Sequence, residues 1–180
     1  MILSCNPEGA EVTIGLGNLF LEDVDAVVVV VNSPAFEDLA VFGSYAGFVR
    51  GILDNYKQTE ECLVGSAVLS TKTGIFSNHV IYTVAPICGD DIKKSKKQLE
   101  NCYLCCLTMA FLNDSLSIAL PNIGEEVFGF PADIAIEAAL DAAFKFCDKY
   151  HESFKEIRFS LDRKQHEAFI QKLKERGVFA

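Results

Sequence analysis

A chain of 180 residues, 50% of them hydrophobic and 23% charged, holds enough apolar material for one full core and is too apolar to stay disordered. Its net charge of −9 opposes any partner gripped by neutralising a phosphate backbone, so nucleic acid is not expected as a ligand. The longest apolar run, Ala26 to Val31, is far short of the roughly 20 residues that cross a bilayer, and seven cysteines form an odd set with no secretory leader ahead of them. These features predict a soluble protein of a reducing, cytoplasmic compartment with no membrane partner.

The first strand signal is Val12 to Leu16, followed by Gly17-Asn18-Leu19. Val24 to Val31 then holds six valines and reads as a strand buried on both faces, which belongs to a sheet covered by helices. Asn32 stands at its exit, where open α/β sheets place ligand contacts; its amide either bonds a sugar hydroxyl or closes an Asx turn with Ser33-Pro34. Val41, Tyr45, Phe48, Val49 and Ile52 recur at helical spacing. Gly43, Gly47 and Gly51 interrupt that helix at four-residue intervals, each costing about 1 kcal/mol relative to Ala. Gly47 and Gly51 read as a smooth packing face, whereas Gly43 fits packing and close approach to a ligand equally.

Two further strands, Ser66 to Thr71 and His79 to Val84, precede the cluster Lys93, Lys94, Lys96 and Lys97, which reads as a solvated turn opening a helix. Ser95 with Gln98 has the form of its capping box, and Leu99, Tyr103, Cys106, Leu107 and Ala110 form its apolar stripe. Cys102, Cys105 and Cys106 lie on this pattern with no nearby His, so they read as core and not as a metal site. Strand Ser115 to Leu120 runs into a loop ending at Pro131, which suits the first turn of a helix with Ile136, Leu140, Ala143, Phe144 and Cys147 inward. Such a loop can aim N–H groups and a helix dipole at an anion. Its Glu125 and Glu126 either repel phosphate or simply complement the helix end.

Strand Ile157 to Leu161 leads into a last helix after Asp162, with Phe169 and Leu173 inward and Gly177 as its stop. No repeat or linker divides the chain, which predicts a single domain over residues 1–180. The element order predicts an α/β fold, a three-layer α/β/α sandwich with a mixed, mostly parallel central sheet. His79, His151 and His166 read as structural or surface residues, and no nucleophile dyad, metal-ligand set or cofactor motif stands out.

Three ordered segments carry a family likeness. Val24-Asp25-Ala26-Val27-Val28-Val29-Val30-Val31-Asn32-Ser33 resembles the macro domain strand VDAIVNAANS. Val80-Ile81-Tyr82-Thr83-Val84-Ala85-Pro86 is similar to the family's VIHTVGP, and Ile118 to Pro131 to its IAFPAISTGVYGFP. The resemblance spans about Val12 to Leu173. It implies ADP-ribose binding over the strand ends, with hydrolysis of ADP-ribosyl or O-acetyl-ADP-ribose bonds in some members. On this likeness Asn32 faces the distal ribose, Asn18 stands at the adenine-holding aspartate, and Phe128 packs on the distal ribose. Val127 and Gly129 flank the diphosphate, and Gly124, Glu125 and Glu126 stand in the same diphosphate loop.

The departures shape the functional expectation. Val29 replaces the first family Asn, Glu37-Asp38-Leu39-Ala40-Val41 replaces a glycine run, and Gly124-Glu125-Glu126 replaces Ser-Thr-Gly. Leu161 stands where an aromatic often stacks on adenine. The expected protein is a divergent macro domain that binds ADP-ribose, a related nucleotide or nucleoside, or an ADP-ribosylated protein weakly and without efficient turnover. An ADP-ribosyl or O-acetyl-ADP-ribose hydrolase and a protein-interaction module are the alternatives. Restoring Ser-Thr-Gly at 124–126 is expected to raise ADP-ribose affinity by removing acidic repulsion.

Overall fold

The structure is a computed structural model describing residues 2–4, 10–57, 62–70, 77–124, 126–150 and 154–177. Glu125, Thr71, His151 and the side chains of Val41, Tyr45 and Phe48 lie outside the described residues. The strands are β1 (Ile2–Ser4), β2 (Glu11–Leu16), β3 (Ala26–Val30), β4 (Ala67–Ser70), β5 (His79–Thr83), β6 (Ser117–Leu120) and β7 (Glu156–Leu161). The helices are α1 (Ala46–Tyr56), α2 (Ile92–Leu112), α3 (Ala132–Lys149) and α4 (Arg163–Glu175). The strands form one sheet in the order β1-β2-β7-β6-β3-β5-β4, parallel except for the antiparallel outer pairs β1–β2 and β4–β5. β1, which the sequence reading did not include, pairs antiparallel with β2, Leu3 opposite Val12.

The valine run behaves as its composition demands. All five residues of β3 are buried between β6 and β5. Ala26, Val28 and Val30 join the core built with α2, α3 and α4, while Val27 and Val29 join a second core with Val49 and Ile52 of α1. The period-2 alternation thus places helices on both faces, giving the expected sandwich. Asp25, just before β3, fastens it to the start of β6: one carboxylate oxygen accepts from Leu116 N (2.9 Å), Ser117 N (3.0 Å) and Ser117 Oγ (3.0 Å).

Several local expectations are corrected. α2 starts at Ile92, capped by Asp91, whose side chain accepts from Lys94 N (3.0 Å). Ser95 is therefore inside the first turn and buried, its hydroxyl accepting from Gly89 N (3.0 Å). The lysine cluster lies on the helix itself, and Lys96 reaches Glu137 (3.2 Å) and Asp141 (2.9 Å) on α3 rather than solvent alone. Gly47 and Gly51 are exposed, and a Cβ at either would meet nothing within 4 Å, so they do not serve close packing. The sheet-facing positions of α1 are Val49 and Ile52. Cys102 and Cys106 are buried as expected, but Cys105 is on the exposed side of α2. Asp162 caps α4 through a full capping box with Gln165.

Candidate functional site

The parallel strands bring their carboxyl ends to one edge of the sheet, and the chain's path selects a place along it. From β3 it moves to β5 on one side, then returns past β3 to β6 and β7 on the other. The reversal lies between β3 and β6, the position where open α/β sheets leave a ligand crevice. Asn32 follows β3 there, and the Pro121 to Pro131 loop follows β6.

Asn32 is exposed, yet its amide is engaged at both ends: Nδ2 donates to Ala85 O (3.0 Å) and Oδ1 accepts from Ala85 N (2.8 Å). This is neither a local Asx turn nor a free side chain. It is a clamp to the exit of β5, and only the pairing of β3 with β5 brings Ala85 within reach. Asn18 is likewise occupied, since its Oδ1 accepts from Phe20 N (3.1 Å) and caps the short turn Leu19–Leu21. Val29, at the position of the first family Asn, packs under α1 in the second core. Gly43 adopts φ 53°, a conformation open to glycine, and a Cβ there would meet nothing within 4 Å. It therefore serves backbone geometry and not packing.

Tyr103, fully buried on α2, shapes the second loop. Its hydroxyl accepts from Ile123 N (2.7 Å) and lies 3.3 Å from Pro121 O, to which it donates. Burial raises the Tyr103 hydroxyl above the usual phenol range, so it remains a neutral donor and acceptor. Gly124 follows, buried against α2 and α3; a Cβ there would collide with Leu99 Cδ2 and come 2.9 Å from Ala135 Cβ. Phe128 is buried in the core with α2 and α3, and its carbonyl accepts from Cys88 N (2.8 Å). Gly129, at φ 80°, faces Cys88 and so seats the β5 exit loop against this one. Val127 is exposed, at 57%, whereas Ile123, Phe128 and Phe130 of the same loop are buried.

The acidic-loop expectation changes with Glu126. Its carboxylate pairs with Lys164 Nζ on α4 (3.0 Å), both side chains being largely exposed at 68% and 80%. The Glu126 bond raises the Lys164 ammonium above its ordinary value. A solvent-exposed carboxylate with a cation beside it repels a nearby phosphate far less than an isolated one. Glu126→Gln is therefore expected to change ADP-ribose affinity by less than about threefold in calorimetry at low salt. A gain of tenfold or more would restore the repulsion account.

Leu161, read from sequence as replacing the aromatic that often stacks on adenine, is 1% exposed and faces the α2, α3 and α4 core, so it offers no stacking surface. Sequence reasoning missed Ala85, Tyr103, Asn122 and Lys164, whose contributions depend on partners distant in the chain. Asn122, Gly124, Glu126, Val127, Ile136 and Phe169 take part in lining a cavity of about 230 Å³ between the loop and the first turns of α3 and α4. Asn122 Oδ1 is buried there with no protein partner among the described residues. Among the described residues no cluster of His, Cys, Asp or Glu is placed to hold a metal, and no helix is long and apolar enough to cross a membrane.

Comparison with known proteins agrees with this architecture. A macro domain-containing protein of Listeria monocytogenes is 32% identical over 155 residues, covering 83% of this chain and 88% of its own length. The O-acetyl-ADP-ribose deacetylase of Salmonella gallinarum is 30% identical over 139 residues, covering 74% of this chain and 78% of that protein. The solved Oceanobacillus iheyensis macrodomain with ADP superposes with a TM-score of 0.74 at 20% identity, across 98% of this chain and 95% of that one. The Macro domain family profile matches residues 47–139. With a helix-covered sheet whose strand order reverses between β3 and β6, and with relatives matched over most of their length, this chain belongs to the Macro domain family.

Proposed function

We propose that this protein binds ADP-ribose or a closely related nucleotide at the β3–β6 crevice and turns it over slowly. Support for binding comes from relatives named for ADP and for O-acetyl-ADP-ribose, and from the strand-order reversal between β3 and β6, which puts Asn32 and the Gly129 loop at neighbouring strand exits. The observation that carries slow turnover is the Asn32 clamp. Orienting a ribose hydroxyl or an attacking water needs an amide whose geometry answers to the substrate, and this one is held at both ends by Ala85. Its remaining hydrogen-bonding capacity suits binding, while its direction is set by the sheet.

Calorimetry with ADP-ribose, ADP and AMP, paired with release assays on O-acetyl-ADP-ribose and on ADP-ribosylated carboxylates, tests this reading. Saturable ADP-ribose binding with turnover at least about a hundredfold below an active relative is expected, equivalent to roughly 2.7 kcal/mol of lost transition-state stabilisation. Asn32→Ala is expected to destabilise the fold by about 1 kcal/mol through loss of the Ala85 bonds, with little further effect on turnover. Turnover equal to an active relative, abolished by Asn32→Ala without unfolding, would make the protein a hydrolase.

A further inference from the structure

The sheet ends at β4, which pairs with β5 and with no other strand among the described residues. Natural sheets usually blunt such an edge with a charge or a proline. Ala67–Ser70 carries neither, and Ala67, Val68 and Leu69 are only half-buried beside a β5 whose last four residues are buried. Alongside runs an open groove of about 590 Å³, walled by Ala67 and by Leu104, Cys105, Thr108, Met109 and Leu112 of α2. None of its lining residues is charged, in a chain of net charge −9. On α2 the exposed residues Asn101, Cys105, Thr108 and Leu112 follow one another at helical spacing as a single stripe, Leu112 being 69% exposed.

Charge and spacing together select the occupant. Two copies of an acidic chain repel wherever their charges meet, so an uncharged face is where they can approach. α2 lies over β4 and β5 alike. A second copy added through β4 therefore brings the two α2 axes about two strand spacings apart, ~10 Å, which is a normal helix packing distance. A lone foreign strand would satisfy the β4 backbone but leave the outer α2 stripe uncovered. Thr83 is paired with Ala67 and its hydroxyl lies 3.1 Å from Cys102 Sγ, so Cys102 marks the level of Ala67. The middle of β4, between Val68 and Leu69, is about 5 Å farther along, or about three helical residues, at Cys105. Antiparallel pairing about that point sets Cys105 opposite its own copy, and sets Lys97 level with Asp114 of the second copy, both residues being exposed. We infer that two copies of this chain pair through β4 about a two-fold axis, joining their sheets into one and packing α2 against α2. The axis stands perpendicular to the sheet, so both carboxyl edges stay open and the pairing does not depend on the ADP-ribose reading.

Sedimentation equilibrium on the full chain is expected to show a reversible dimer with a Kd in the micromolar range. A short bismaleimide should cross-link that dimer through Cys105, and Cys105→Ser should abolish the cross-link while the sedimenting dimer remains. Thr108→Glu, on the exposed side of a helix and so compatible with folding, is expected to raise the Kd at least about tenfold by burying a carboxylate in an uncharged interface. Lys97→Glu should raise it about threefold, with the loss shrinking as salt increases. The inference falls if the chain is monomeric at every concentration up to about a millimolar, which would leave the groove to a foreign strand. A dimer undiminished by Thr108→Glu, or cross-linked equally well after Cys105→Ser, overturns it too.

Discussion

Gly124→Ser is expected to destabilise the protein by about 3 kcal/mol and to leave ADP-ribose affinity no better than before. The side chain would enter a space already filled by Leu99 of α2 and by Ala135 of α3, both fully buried. Leu99 Cδ2 is the free end of a side chain and can turn aside. The Ala135 atoms, 2.9 and 3.4 Å from the new Cβ, belong to a helix and can yield only if α3 shifts. Interiors packed at crystal density accommodate such insertions by strain, usually at 1–3 kcal/mol. At roughly 2–4 °C per kcal/mol for a domain of this length, the melting temperature should fall by about 6–12 °C. Differential scanning calorimetry checks this directly, and an unchanged transition would mean that the loop sits farther from α3 than the structure places it. The consequence reaches function, because restoring the family's Ser-Thr-Gly in one step would break the packing that shapes the loop. The acidic character of the loop is therefore tested at Glu126 alone.

Asp25→Ala should cost about 2–4 kcal/mol while leaving ADP-ribose affinity within about twofold. Asp25 accepts three hydrogen bonds on one oxygen, two of them from backbone N–H groups at the entry to β6. Bonds to a charged acceptor contribute about 1.5–3 kcal/mol each, but these share one oxygen and partial solvent access, so they do not add. Asp25→Asn keeps an acceptor of the same shape and should recover roughly half of the loss. Urea denaturation reads the difference as a shifted midpoint at constant slope. Affinity should survive because Asp25 lies at the amino ends of β3 and β6, the edge of the sheet opposite the crevice. Parallel losses of stability and affinity would show that the two edges are coupled.

Much of the fold was legible because it depends on patterns within short stretches. The valine run announced a two-sided strand, and β3 is buried throughout. The apolar stripes of α2 and α3 appear as buried faces, and Phe169 and Leu173 of α4 point inward. Helix starts were less legible: Asp91 competes with Ser95 as a cap, and only packing of Ser95 under Gly89 decides between them. The glycines of α1 misled for a related reason, since spacing cannot say which side of a helix meets the sheet when side chains are absent at the positions in question.

Where the candidate residues lie in the fold was legible, and their state was not. Connectivity forces the strand exits and the glycine-bearing loop to the carboxyl edge of the sheet. Whether Asn32 is free, which way Glu126 turns, whether Leu161 is available and whether Asn122 finds a donor all depend on residues 38 to 53 positions away or on opposing helices. By itself the sequence determined the layers, the central strand and the identity of the family likeness, since hydrophobic period and ordered local motifs suffice for these. Only the tertiary structure decided that the Asn32 amide is clamped, that Gly124 is a packing residue and that Glu126 pairs with Lys164. Each of those outcomes is a contact between groups brought together by the closing of the sheet and its helices, and no local pattern encodes it.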